Sequence, residues 1–215
     1  MTPNCLFTPK IAMRLEFGET TFGINVSFAI AVTLTLIIDE SGVGAIALLC
    51  CILHEAGHIL CLMILGEKPK KIDLSFYGIK LERNSMSSQS TVGEIMIFVS
   101  GPAVNFVFSA ILFLLSNAFE PLRIAAMISL CTGVFNLIPC KPFDGGNIIH
   151  TVLCRIARHQ TADNICFAIS MLTVIPMIVA GAFLMKNNGN ITLLAVAVYV
   201  AVSCFLEYKS KTALA

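Results

Sequence analysis

Two histidines and a carboxylate, His54, Glu55 and His58, stand inside an otherwise apolar run from Ile52 to Ile64. On a helix the two histidines lie one turn apart on one face, so both imidazoles can reach a single metal ion. Glu55 points about 100° further round the helix, beside such a metal and not on it, which suits a general base acting on a metal-activated water. Catalytic zinc usually takes three protein ligands and keeps one position open, so a third ligand must come from elsewhere in the chain. Asp144 suits that role. It lies in the stretch from Asn136 to Asn147, where Pro139 and Pro142 stop a helix and Gly145 and Gly146 let backbone approach closely. Glu94 and Asp163 compete for the role from the same side of the membrane but lack such a backbone device, and Glu120 falls on the other side. Cys50, four residues before His54, could also be argued as a ligand. Asn105 and Asn136 are neutral polar groups in apolar helices, able to hydrogen-bond a substrate carbonyl or an oxyanion, or simply a neighbouring helix. The plain alternatives are a buried polar cluster that binds nothing and an ordinary Pro-x-Asp-Gly turn. Burying two imidazoles and a carboxylate mid-membrane is costly unless they pair, protonate or bind something. His150 and His159 read as interfacial residues with no partner at a recognisable spacing.

The elements that must position these groups are apolar. The run from Val43 to Leu65 has 23 residues, with Glu55 as its one charged group, and a span needs about 20 residues. Six such runs are predicted, at roughly 22–38, 43–65, 92–116, 121–138, 165–185 and 191–206. The third contains Ser100-Gly101-Pro102, where a kink and close helix approach are expected. The chain is 57% hydrophobic and only 13% charged, against about 25% charged in a soluble domain. It therefore reads as one all-α polytopic membrane domain over residues 1–215, with no cleavable signal peptide. The net charge of +1 and the lack of a basic block argue against a nucleic-acid partner. The nine cysteines lie mostly in apolar runs and read as small reduced hydrophobes, not a disulfide framework. With six spans, twelve of the fourteen Lys and Arg residues fall on one side, leaving only Arg123 and Lys186 on the other. Both termini are then cytoplasmic, and the metal would sit in the membrane nearer the cytoplasmic face. Between spans two and three, alternation through Ile72, Leu74 and Phe76 and then Ile79 and Leu81, around Tyr77-Gly78, predicts a short β-hairpin at the membrane surface. Its edge could pair with an extended substrate segment, or it could be a plain connector. Residues 1–21 read as an interfacial strand or turn.

The His54-Glu55-Ala56-Gly57-His58 motif, the Ser100-Gly101-Pro102 to Asn105 stretch, and Asn136-x-x-Pro139 followed by Asp144-Gly145 together resemble the site-2 protease family. These are zinc metalloproteases that cut inside or near the membrane. The resemblance runs from about Gly23 to Tyr208. It implies one Zn2+ held by His54, His58 and Asp144, with Glu55 as catalytic base, Asn136 as the polar residue of the second motif and Asn105 as a looser match. The chain is most similar to the compact six-span bacterial branch that includes stage IV sporulation protein FB, which releases a membrane-associated sigma-factor precursor. No PDZ domain lies between the motifs and no C-terminal regulatory domain follows. The resemblance implies a membrane-associated or single-span protein as substrate, with the lipid bilayer around the enzyme and room for a regulatory membrane partner. The rival readings are a membrane zincin with a glutamate as third ligand and a non-catalytic zinc-binding scaffold.

Overall fold

A computed structural model describes residues 11–17, 20–67, 71–75, 78–82, 90–116 and 119–212. In chain order the elements are β1 (Ile11–Phe17), β2 (Thr20–Asn25), α1 (Val26–Ile38), α2 (Val43–Ile64), β3 (Lys71–Ser75), β4 (Gly78–Glu82), α3 (Thr91–Leu115), α4 (Glu120–Asn136), α5 (Asp144–Ile156), α6 (His159–Asn188) and α7 (Thr192–Thr212). Chain contacts divide them into two compact units, Met1–Gln89 with Ala103–Leu130, and Ser90–Pro102 with Cys131–Ala215. Helix α3 contributes to both.

In the first unit the strands form one sheet in the order β1-β2-β3-β4. The helical, multi-pass fold expected from sequence holds in its coarse form, with a small sheet added to it. β1 pairs antiparallel with β2, and β3 pairs antiparallel with β4, in the stretch where alternation is strongest. β2 and β3 run parallel, with Phe22 opposite Ile72 and Ile24 opposite Leu74. A parallel pair needs a crossover, and here α1 and α2 supply it. The first apolar run is corrected. Its opening residues, Phe22 to Asn25, belong to β2, and helix begins only at Val26. The N–H groups that open α2 are met from the preceding turn, where Asp39 Oδ2 accepts from Ala45 N at 3.0 Å and Ser41 Oγ from Val43 N at 3.4 Å.

The second unit is built on α6 and α7, with Cys140, Val174, Val200 and Cys204 at its core. Between the fourth and fifth apolar runs lies α5. That helix is strongly amphipathic and ends with Arg155 in its last turn, where a cation complements the helix dipole. Residues 83–89 of the linker lie outside the described residues, as do residues 1–10.

Among the described residues, four helices are long and apolar enough to cross a membrane, at Val43–Ile64, Thr91–Leu115, His159–Asn187 and Thr192–Ser210. Helix α1, with 13 residues, and α4, with 17, fall short. At about 1.5 Å per residue they reach only about 20 and 25 Å of a hydrocarbon core about 30 Å thick. Large apolar side chains point outward along the long helices, among them Leu60, Met63, Leu114 and Leu172. A soluble protein rarely leaves such patches to water, and lipid removes the penalty. The chain is a multi-pass membrane protein.

Candidate metal centre

Helix α2 buries one stripe, Cys50, His54, Gly57, His58 and Leu62. The spacing of four, seven, eight and twelve residues from Cys50 is that of one helix face, while Ile52, Leu60, Met63 and Ile64 on the remaining surface are exposed. The two histidines therefore face protein. Their Nε2 atoms lie 3.1 Å apart, with the rings edge to face at 83°. Two corners of a zinc tetrahedron with bonds of about 2.0–2.1 Å would be about 3.3 Å apart, so the separation of the two nitrogens matches that of two ligands on one zinc. Glu55, the next residue along, is half-buried.

Helix α3 brings Asn105 to this pair. Asn105 is fully buried, and its Nδ2 lies 3.3 Å from His54 Nδ1. Its backbone carbonyl accepts from Ser129 Oγ of α4 at 2.9 Å, and Ser109 Oγ donates to the Ala126 carbonyl at 2.7 Å. These ties fix the height of α3 against α4 within the unit. Asn105 Oδ1 is buried without a hydrogen-bond partner among the described residues. A half-turn of the amide sets Oδ1 against His54 Nδ1, which leaves the ring proton on Nδ1 and frees Nε2 for a metal.

The second unit carries Asn136 and Asp144 on either side of a tight turn. Helix α4 ends as Leu137 N bonds the Val134 carbonyl and Ile138 N the Phe135 carbonyl. The turn is then pinned from several directions. The Phe135 and Phe143 rings pack edge to face, Lys141 N donates to Ser170 Oγ of α6 at 3.1 Å, and Cys140 Sγ lies 3.2 Å from Cys204 Sγ of α7. Gly145 and Gly146 lie under this turn. A Cβ on Gly146 would sit 2.6 Å from Lys141 N and closer still to the Cys140 carbonyl, while one on Gly145 would meet the Leu137 and Ile138 carbonyls. No side chain fits there, which is why glycine follows the aspartate. Asp144 thus occupies the first turn of α5, where the helix dipole favours an anionic carboxylate. Asn136 Nδ2 donates to the Thr132 carbonyl one turn back, at 3.0 Å.

Two sequence readings change. Asp163, a competitor for the third ligand position, is engaged by His150, with Nε2 to Oδ1 at 2.8 Å. His150 and His159 are not solitary, since Cys154 Sγ lies 3.3 Å from His159 Nδ1 and 3.6 Å from His150 Nε2. The signal was present in sequence as two four-residue spacings, His150 to Cys154 and His159 to Asp163, but only the meeting of α5 and α6 gives them meaning.

Residues 115–179 match the model of peptidase family M50. The chain is 29% identical over 156 residues to zinc metalloprotease MJ0392 of Methanocaldococcus jannaschii, covering 69% of this chain and 44% of that relative. A relative from Synechocystis sp. is 26% identical over 167 residues, covering 64% and 43%. The chain therefore spans less than half the length of these curated relatives. Among solved structures, the site-2 protease from Methanocaldococcus jannaschii superposes with a TM-score of 0.68 at 25% identity, covering 91% of this chain and 94% of that one. The likeness to the solved site-2 protease thus runs over 91% of the chain, and both the histidine pair on a membrane-length helix and the Asp-Gly-Gly helix start belong to a chain that is similar to zinc metalloproteases.

Proposed function

We propose that this chain is an intramembrane zinc endopeptidase that hydrolyses a peptide bond in or near a membrane segment of a regulatory protein. The observation that carries the reading is the buried His54–His58 pair, its Nε2 atoms 3.1 Å apart, with Glu55 beside it on a helix of spanning length. In this reading His54, His58 and Asp144 hold the metal. Zinc, when bound, supplies Lewis acidity to the scissile carbonyl and the attacking water. Glu55 takes the proton from that water and passes it to the leaving amine. The Asn136 amide donates to the developing oxyanion. Asn105 orients His54, and its contact with Nδ1 favours that role over direct work on substrate. Single-domain organisation, six spans with α1 and α4 as short ones, cytoplasmic termini and a site near the cytoplasmic face complete the reading. They rest on the twelve-to-two distribution of Lys and Arg.

A transmembrane helix hides its amides in internal hydrogen bonds, so the substrate must unwind locally before it can be cut. The sheet supports a place for the unwound segment. β4 lies at one end of the strand order, and an edge strand offers unpaired backbone groups to an extended peptide. A membrane-associated sigma-factor precursor, as in sporulation, is one such substrate, and a stress-signalling regulator is chemically equivalent.

The test replaces Glu55 with glutamine. The Glu55→Gln protein is expected to keep its fold and about one zinc per chain, as catalytic sites of this type do, while losing cleavage of a panel of single-span and membrane-associated regulators in liposomes. Robust turnover by the variant would remove Glu55 as the base, and absence of zinc from the native protein would return the pair to a buried polar cluster.

A further inference from the structure

Away from the histidine pair, four side chains form an ordered row where α5 meets α6. Asp163 Oδ1 lies 2.8 Å from His150 Nε2. His150 approaches Cys154 Sγ with both ring nitrogens, Nε2 at 3.6 Å and Nδ1 at 3.8 Å. On its other side Cys154 Sγ lies 3.3 Å from His159 Nδ1. The thiol is half-buried, and the His150–Asp163 pair is about one-fifth exposed on each side chain. Other charged groups on the elements around the row are Arg155, whose Nη1 donates to Thr91 Oγ1 of α3, Arg158, which precedes α6, and Lys141 and Glu207, which line a cavity together with Asp163. The row has no part in the zinc reading, and its chemistry stands apart from it.

Reactive cysteines occur where a thiol is partly exposed and next to groups that favour the thiolate. Cys154 meets both conditions. Asp163 favours the protonated, cationic form of His150, and a cationic imidazole beside sulfur stabilises its negative charge. His159 supplies a second imidazole, placed to accept the thiol proton. We propose that Cys154 is a nucleophilic modification site, activated by His150 and His159 with Asp163 behind them, that takes small disulfides and other soft electrophiles. In the exchange step the Sγ proton passes to His159 Nδ1, and the thiolate attacks one sulfur of a low-molecular-weight disulfide. A new bond forms from Cys154 Sγ to that sulfur as the old disulfide bond breaks. The departing thiolate takes a proton from the imidazolium, so Cys154 ends oxidised to a mixed disulfide and one half of the reagent is reduced to a thiol.

Cys140 provides an internal contrast. It is 1% exposed, and its hydrogen bond with Cys204, together with burial, pushes its thiol well above the usual range. The experiment treats the purified full chain in detergent with limiting glutathione disulfide, and separately with N-ethylmaleimide, from pH 5.5 to 8.5, and maps adducts by peptide mass spectrometry. Cys154 is expected to react first and to keep reacting below neutral pH, where an ordinary thiol with a pKa of about 8.5 slows tenfold per unit. Cys140 is expected to stay unmodified. His159→Gln and His150→Gln should each move the Cys154 rate profile toward that of free glutathione, and Asp163→Asn should do so less. His159→Gln keeps the test sound if His150→Gln disturbs folding, because His159 is exposed and outside the ion pair. A Cys154 profile that matches free glutathione, or one that neither histidine variant shifts, overturns the proposal.

Discussion

Replacing Gly146 with alanine puts two physical arguments in direct opposition. Helix propensity alone favours the change, because alanine is better than glycine inside a helix by about 0.8–1.0 kcal/mol. Packing opposes it. The added Cβ would lie 2.6 Å from Lys141 N and nearer still to the Cys140 carbonyl carbon and oxygen, where ordinary contact begins at 3.4 Å. Relief therefore needs a shift of the order of 1 Å in backbone, not in a flexible side chain, and inserted methyl groups of this kind cost about 1–3 kcal/mol, sometimes more. The turn cannot yield singly, because Lys141 N is bonded to Ser170, Cys140 packs on Cys204, and Phe143 N is bonded to the Cys140 carbonyl at 2.9 Å. Either α5 moves off the turn, carrying Asp144 with it, or the turn leaves the core of α6 and α7. A clash with backbone belongs in the upper half of that range, about 2–3 kcal/mol, so subtracting the propensity gain leaves a net destabilisation of about 1–2 kcal/mol. For a chain of this length that lowers the melting temperature by roughly 2–8 °C. Thermal unfolding in detergent reads the stability, and zinc content after dialysis against a weak chelator reads the position of Asp144. A Gly146→Ala protein that melts at or above the native temperature with its zinc intact would show that α5 is not seated beneath this turn. Gly145→Ala should behave alike, since its Cβ would meet the Leu137 and Ile138 carbonyls.

Asn105→Leu should weaken zinc binding by about 10- to 100-fold, the usual effect of losing a group that orients a ligand histidine. Asn105→Asp, which keeps an acceptor for His54 Nδ1, should hold zinc nearly as the native chain does, and equal affinities for native and leucine proteins in a chelator competition would remove the orienting role. Asp144→Asn is expected to lose zinc under dialysis conditions that leave native protein loaded, so unchanged metal content would argue for a different third ligand. At the start of α2, the Ser41 hydroxyl and then the Ala45 N–H hold the Asp39 carboxyl below its ordinary value of 3.8. A carboxyl with a depressed folded pKa stabilises above its unfolded value and loses that contribution as pH falls through the folded one. Amide exchange at Ala45 should thus be protected relative to Asp39→Asn at neutral pH, with the difference vanishing in acid below the lowered value. Identical exchange at neutral pH would show that Asp39 does not cap this helix.

The pairing of His54 with His58 on α2 was legible in sequence because its geometry is local. A spacing of four residues sets two histidines on one face of any helix, and apolar flanks of spanning length put that helix in a membrane. The Asp144 segment was legible for a similar reason, since proline stops a helix and glycine admits close backbone wherever they occur. Tertiary structure decided what depends on residues distant in the chain. Asn105 meets His54 across 51 positions, and only packing of α3 against its neighbours selects which of its faces does so. β1 and β2 join the predicted hairpin because a parallel partner comes from the far side of the α1–α2 crossover, which alternation within a strand does not encode. The row from Asp163 to His159 exists only because α5 turns back onto α6. In sequence its members are two unremarked pairs, and in the fold they become neighbours within hydrogen-bond reach. Local periodicity set the chemistry available to each helix, and long-range packing chose which of those side chains meet.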